Sequence, residues 1–215
     1  MKFPKIKIPR YEYDVVYGSR KVIKDPNNPN QNHYYDNDIW TEYGKKIAEL
    51  IPEGYIVYGE LVGWTPDGAP LQKNYTYHLH KGECELFVYR VSFINKQGVL
   101  ADLSWDGVRN FCAARGLNWV PELFRYSGNT YEPWCPGKFE WQVDSLMDNR
   151  YTDLHARTPA VDVPLTLSDK KSVDEGVCIR QEGVVPTILK AKSPKFLEHE
   201  TKLLDKDEVD MESVA

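Results

Sequence analysis

GYIVYGELVGW, residues 54–64, decides the fold class. β-Branched and aromatic side chains fill it, and it breaks at once into TPDGAP (65–70), whose Pro, Asp and Gly make a turn. A second stretch of the same kind, ELFVYRVSFI (85–94), ends at NKQG, so the region reads as two strands. Upstream, YEYDVVYGSRKVI (11–23) reads as one strand kinked at Gly18, and KDPNNPNQN (24–32) as a loop. From Asp38 the period changes. Ile39, Tyr43, Ile47 and Leu50 recur at helical intervals until Pro52 and Gly54 stop the pattern. Downstream, Ser104 can cap a helix running to Arg115, with Gly116 as its stop. Phe139, Val143, Leu146 and Met147 give a helical face over 137–148. EGVCIR (175–180) and PTILKAK (186–192) are short strands split by the turn-like QEGV, and Ser193-Pro194 opens a last helix to about Leu204. Strands and helices without regular βαβ alternation predict an α+β fold with a mixed or antiparallel sheet.

The 215 residues suit one domain, expected over 1–204, with an acidic, disordered tail over 205–215. Charged residues are 27% and apolar ones 41%, which argues against wholesale disorder. No apolar run approaches the ~18 residues of a membrane span. MKFPKIKIPR at the start holds no secretory core, so the expected location is the cytoplasm. Cys84, Cys112, Cys135 and Cys178 form no CxxC pair and read as reduced, mostly buried thiols. The net charge of −5 is concentrated in residues 198–215, while residues 1–24 carry a net of +5. An acidic total therefore does not exclude a polyanionic partner.

Generic chemical motifs are missing: there is no GxxxxGK[ST], no GxGxxG opening a helix and no HExxH. His78 and His80 read as a polar strand edge rather than a metal site, because zinc needs four ligands. Lys190 and Lys192 stand two apart on a strand, so both ammonium groups point to one face and suit an anion. Spacing alone favours the plainer reading, an exposed strand face with two solvated lysines. Flanking Ile188, Leu189 and Ala191 suggest a largely buried strand, which favours the anion. Glu60 and Glu175 are acids inside apolar segments, each beside a glycine. A buried carboxylate must be paired or bind a cation, and Mg²⁺ takes few carboxylates with phosphate oxygens and waters.

Four segments occur in order: Tyr58-Gly59-Glu60, Leu86 to Val91, Glu175 to Arg180, and Leu189 to Lys192. Together they resemble the ordered motifs of covalent nucleotidyltransferases. VYGELVGW, ELFVYRV, DEGVCIR and ILKAKSPKFL are most similar to ATP-dependent RNA ligases of bacteriophage type. The resemblance runs from about Tyr11 to Leu204. It implies an ATP-grasp-like ligase adenylation domain that binds ATP or AMP with Mg²⁺ (or Mn²⁺) and joins RNA ends. It implies that Glu60 contacts the ribose and Glu175 helps hold the metal. Tyr89 would stack on adenine, and Arg20, in YGSRKVIK, would contact the nucleotide or the RNA end. Lys190 and Lys192 would act on the phosphates. Arg180 reads as structural.

The family's nucleophile is the lysine of a KxDG motif, and this chain departs from the pattern there. Asp-Gly occurs at 67–68 and 106–107, in each case without a lysine two residues before the aspartate. The expectation is a domain lacking its first motif: a truncated product, one half of a split enzyme whose partner chain carries KxDG, or a decayed paralogue. Alternatives that stay open are a non-catalytic nucleotide- or RNA-binding remnant and a DNA ligase fragment. The absence of room for a second, OB-type domain disfavours the DNA ligase.

Overall fold

Alternation along residues 55–63 and 84–94 produces the central element of the protein, described from a computed structural model that covers residues 14–19, 22–24, 38–123, 125 and 172–204. Strand β3 (Tyr55–Gly63) pairs antiparallel with β4 (Cys84–Ile94). Strand β5 (Leu100–Asp102) runs antiparallel along the last residues of β4, and β6 (Asn118–Trp119) runs parallel beside Phe87 and Val88. The register opposes Val57 to Val91, Gly59 to Val88 and Leu61 to Leu86. Val88, Val91 and Leu61 on this face are buried. Helix α2 (Trp105–Ala113) contacts β4 and buries Val108, Phe111 and Cys112. The rings of Tyr55 and Phe111 lie 5.1 Å apart, so α2 packs on the Tyr55–Val57–Leu61 face. Each such side chain removed from water contributes on the order of 1.5–3 kcal/mol.

The ends of α2 follow the sequence. The Ser104 side chain accepts from Gly107 N at 3.2 Å. At the other end Gly116 takes φ +65°, where Leu117 N donates back to Cys112 O at 3.0 Å. The opposite face of the sheet carries Ile56, Tyr58, Glu60, Val62, Phe87, Arg90 and Ser92 and mixes polar with apolar side chains.

A second, two-stranded sheet is the hairpin of β7 (Gly176–Gln181) and β8 (Thr187–Lys192), followed by helix α3 (Pro194–Leu204). Ser193 caps α3, its Oγ accepting from Phe196 N at 3.1 Å. The chain divides into two compact units. The larger, residues 51–214, holds the elements above, and the smaller centres on residues 1–50. The smaller unit contains a short hairpin of β1 (Tyr17–Gly18) and β2 (Ile23–Lys24), then α1 (Ile39–Ile47) and a 3-10 turn over Ala48–Leu50. Asp38 caps α1, accepting from Thr41 N at 3.3 Å and Thr41 Oγ1 at 2.7 Å.

Three local expectations are corrected. Residues 11–23 are not one kinked strand: Tyr17 opposes Lys24 and Gly18 opposes Ile23, so the chain reverses, with Ser19 N donating to Val22 O at 2.9 Å. A hairpin and a kinked strand share the same Tyr/Val content, and only pairing separates them. His78 and His80 lie in the loop between β3 and β4, where Tyr77 and His78 have φ of 49° and 64°. Such angles cannot continue a strand. The cysteines are not mostly buried: Cys112 is, Cys84 is half-buried and Cys178 is exposed, while Cys135 lies outside the described residues. The expected helix over 137–148, Arg20 and the tail from 205 also lie outside them. Among the described residues no helix is long and apolar enough to cross a membrane.

Candidate functional site

Hydrogen bonds tie the β7–β8 hairpin to the start of α2 and to the loop between β3 and β4. The Arg180 guanidinium donates to Leu103 O at 2.7 Å and to the Glu182 carboxylate at 2.8 Å. Glu182 in turn accepts from Trp105 N at 2.7 Å, at the start of α2, where the helix dipole favours a carboxylate. At the other end of β7, Tyr75 Oη donates to Val173 O at 2.7 Å and accepts from Val173 N at 3.2 Å. Arg180, expected as an exposed arginine at a strand end, is instead 13% exposed and holds the hairpin through Leu103 and Glu182.

Glu175 and Lys190 form an ion pair, and Glu60, up to 130 residues away in the chain, lies close enough for its carboxylate to act with theirs on Cys178 and Tyr77. The Glu175 side chain is 27% exposed. Across the hairpin Lys190 stands opposite Cys178. The Cys178 thiol is held above its ordinary value. The cause is first the desolvation of the sulfur, then the nearby Glu175 and Glu60 carboxylates, with Lys190 opposing. The Tyr77 phenol is pushed up strongly, first by burial and then by Glu60, Tyr75, Glu175 and Asp174. Tyr77 therefore stays a neutral hydroxyl among carboxylates.

Lys192 continues the Lys190 face one step along β8, opposite Gly176. Its ammonium pairs with Glu200 at 2.6 Å and lies 5.0 Å from the centre of the Phe196 ring. Gly176 has φ +140°, and a Cβ there would collide with the Ala191 carbonyl oxygen. Only glycine lets β7 and β8 close at this point.

Tyr89 is the extra residue of a β-bulge. The register steps from Tyr58 opposite Arg90 to Gly59 opposite Val88, and Tyr89 is 42% exposed. Next to it Arg90 binds Asp102 through two bonds of 2.8 and 3.0 Å and lies 4.9 Å from the Tyr58 ring centre. These bonds hold the Asp102 carboxyl below the usual carboxylate range, aided by Ser92 and opposed by burial.

Two burial expectations fail. Glu60 is exposed rather than buried. Ile188 and Leu189 are 43% and 59% exposed, so β8 is not a covered strand. Alternation fixes the faces of a strand but not what lies over them. The pairing expected of a half-buried acid holds for Glu175, through Lys190. Tyr77 and Glu200 escaped the sequence reading. The first lies in the irregular NYTYHLH loop, and the second is one of several acids on an amphipathic helix.

The arrangement offers ammonium groups beside carboxylates, the pattern that receives phosphate together with a cation. Among the described residues no group of three or more His, Cys, Asp or Glu could cage a metal. Mg²⁺ needs no such cage, since one carboxylate with substrate phosphates and waters suffices, and Glu175 fits that use. A shallow cavity of about 360 Å³ lined by Glu53, Gly54 and Phe93–Gln97 lies where β3 begins and contains none of these residues.

The chain has a mixed α/β architecture with a lysine–carboxylate ion pair at the β7–β8 hairpin. The RNA ligase family model matches residues 6–192, most of the chain, and the protein belongs to that family. The matched span includes Arg20, Glu60, Tyr89, Glu175, Lys190 and Lys192. No curated protein and no solved structure matched the chain.

Proposed function

We propose that this protein seals RNA ends at the Glu60–Glu175–Lys190 cluster, using an RNA whose 5′-phosphate is already joined to AMP. The observation that carries the proposal is the Lys190–Glu175 ion pair beside Glu60, inside the segment matched to the RNA ligase family. In the sealing step a 3′-hydroxyl oxygen attacks the 5′-phosphorus. A phosphodiester P–O bond forms, the phosphoanhydride P–O bond breaks, AMP departs with the bonding electrons, and the hydroxyl proton passes to solvent.

Lys190 and Lys192 supply positive charge to the departing AMP phosphate, where charge develops in the transition state. Glu60, exposed on β3, accepts a hydrogen bond from the nucleotide ribose. Tyr89, turned out by its bulge, stacks on adenine. Tyr77, a neutral hydroxyl within electrostatic reach of Glu60 and Glu175, is available to donate to a bound nucleotide. Arg20 serves the nucleotide or the RNA end. Glu175, with two oxygens, can keep Lys190 and bind Mg²⁺ or Mn²⁺ together. A divalent cation bound there neutralises phosphate charge and aligns the ends.

The finer assignment is an ATP-dependent RNA ligase of bacteriophage type acting in the cytoplasm on a nucleotidyltransferase fold. The 215 residues contain no KxDG lysine, which favours a second reading of the same site. The chain then binds ATP and RNA ends and receives the nucleophile from a partner segment. Incubation with labelled ATP and Mg²⁺, followed by denaturing electrophoresis, distinguishes self-activation from both. We expect no covalent adenylate on this chain alone; a labelled band mapping to one of its lysines overturns that expectation.

A further inference from the structure

Lys192 is held by two residues of α3, Glu200 and Phe196, and Glu200 lies beyond the segment matched to the family. The Lys192 side chain is 32% exposed and that of Glu200 21%, so the pair is neither free in solvent nor sealed from it. Helix α3 is itself fixed to the candidate site. Ser193 N donates to Glu175 O at 2.8 Å, and Ser193 Oγ donates to Asp174 O at 2.7 Å. Phe196, two residues on from the first residue of α3, is 4% exposed and anchors the first turn. Glu200 therefore stands in a set position relative to the backbone of Glu175.

We infer that Glu200 is a positioning residue, which fixes the Lys192 ammonium so that its other N–H groups meet the phosphate of a bound nucleotide. The inference rests on the proposed function of the site. An ammonium has three donors, and Glu200 occupies one. A lysine stem without a partner samples many rotamers, and binding must then pay the ordering entropy. The Phe196 ring limits the stem from one side, and the Glu200 carboxylate selects the end point. A carboxylate that merely competed with phosphate for Lys192 would act in the opposite direction, since its removal would strengthen anion binding.

Calorimetric titration of the full chain with ATP and Mg²⁺ separates these cases. Glu200→Ala is expected to weaken ATP binding by about three- to tenfold, the ordering cost of one long side chain. Glu200→Gln, whose amide oxygen still accepts from Lys192, is expected to keep most of the affinity. The double variant Lys192→Ala/Glu200→Ala is expected to bind no more weakly than Lys192→Ala, because the two act as a unit. Tighter binding by Glu200→Ala, or unchanged binding where Lys192→Ala weakens it, overturns the inference alone. Unchanged binding by Lys192→Ala itself overturns the phosphate role of Lys192 and takes the inference with it. A folded wild-type chain that binds no ATP has the same consequence.

Discussion

Tyr77 has a left-handed backbone, φ 49°, and a hydroxyl held neutral first by burial and then by the charges of Glu60, Glu175 and Asp174. A non-glycine residue in this region stores roughly 1–3 kcal/mol of strain, which the surroundings must offset. Tyr75, bound twice to Val173, and Trp64, whose Nε1 donates to Leu79 O at 2.8 Å, hold the loop on both sides of it. Replacing the phenol but keeping the ring isolates the hydroxyl. Tyr77→Phe should change unfolding free energy by no more than about 1.5 kcal/mol and weaken ATP binding by up to about tenfold, since it removes a buried hydroxyl available to the ligand. Urea unfolding and calorimetry on the same sample check both numbers. Wild-type affinity in Tyr77→Phe removes the hydroxyl from the site. At this scale the sequence was informative where a residue sits in a strand. Glu60, Glu175 and Lys190 each stand out as a charge in an apolar stretch, and the structure pairs the last two. Tyr77 and Glu200 could not be found in that way, because no local spacing reports which distant carboxylate or lysine a loop or helix will meet.

The β7–β8 hairpin is the element on which the account depends, and its geometry is set by backbone as much as by side chains. Gly176 at φ +140° leaves no room for a Cβ against Ala191. Gly176→Ala should therefore cost about 2–4 kcal/mol, since it adds a steric clash to a strained dihedral. It should also abolish ATP binding by moving Glu175 and Lys190 apart; stability equal to wild type in a denaturant titration contradicts this. The strand pattern, the turn between the strands and the capping Ser193 were all legible in EGVCIR and PTILKAKSP. The solvent exposure of Ile188 and Leu189 was not, because a two-stranded sheet leaves one strand edge and part of each face without cover. The same limit explains the misread segment 11–23, where strand content was recognised and chain reversal was missed. The helices α1 and α2 were easier, since each begins at a side chain that visibly satisfies free N–H groups, Asp38 and Ser104.

At the scale of the whole molecule, membership of the RNA ligase family and the clustering of Glu60, Glu175 and Lys190 point the same way. For the proposed function, the local charge of Lys190 and Lys192 matters more than the total of −5. The proposed function confines the chemistry of this chain to the sealing step after activation. Sealing of a pre-adenylylated RNA 5′ end to an RNA 3′-hydroxyl, with Mg²⁺ and without ATP, tests this most directly when wild type and Lys190→Ala are compared. The account predicts that the wild-type chain joins the ends and that Lys190→Ala is at least ~100-fold slower, the usual loss when a charge contact made in the transition state is removed. Joining by Lys190→Ala at the wild-type rate, or no joining by a folded wild-type chain, contradicts it.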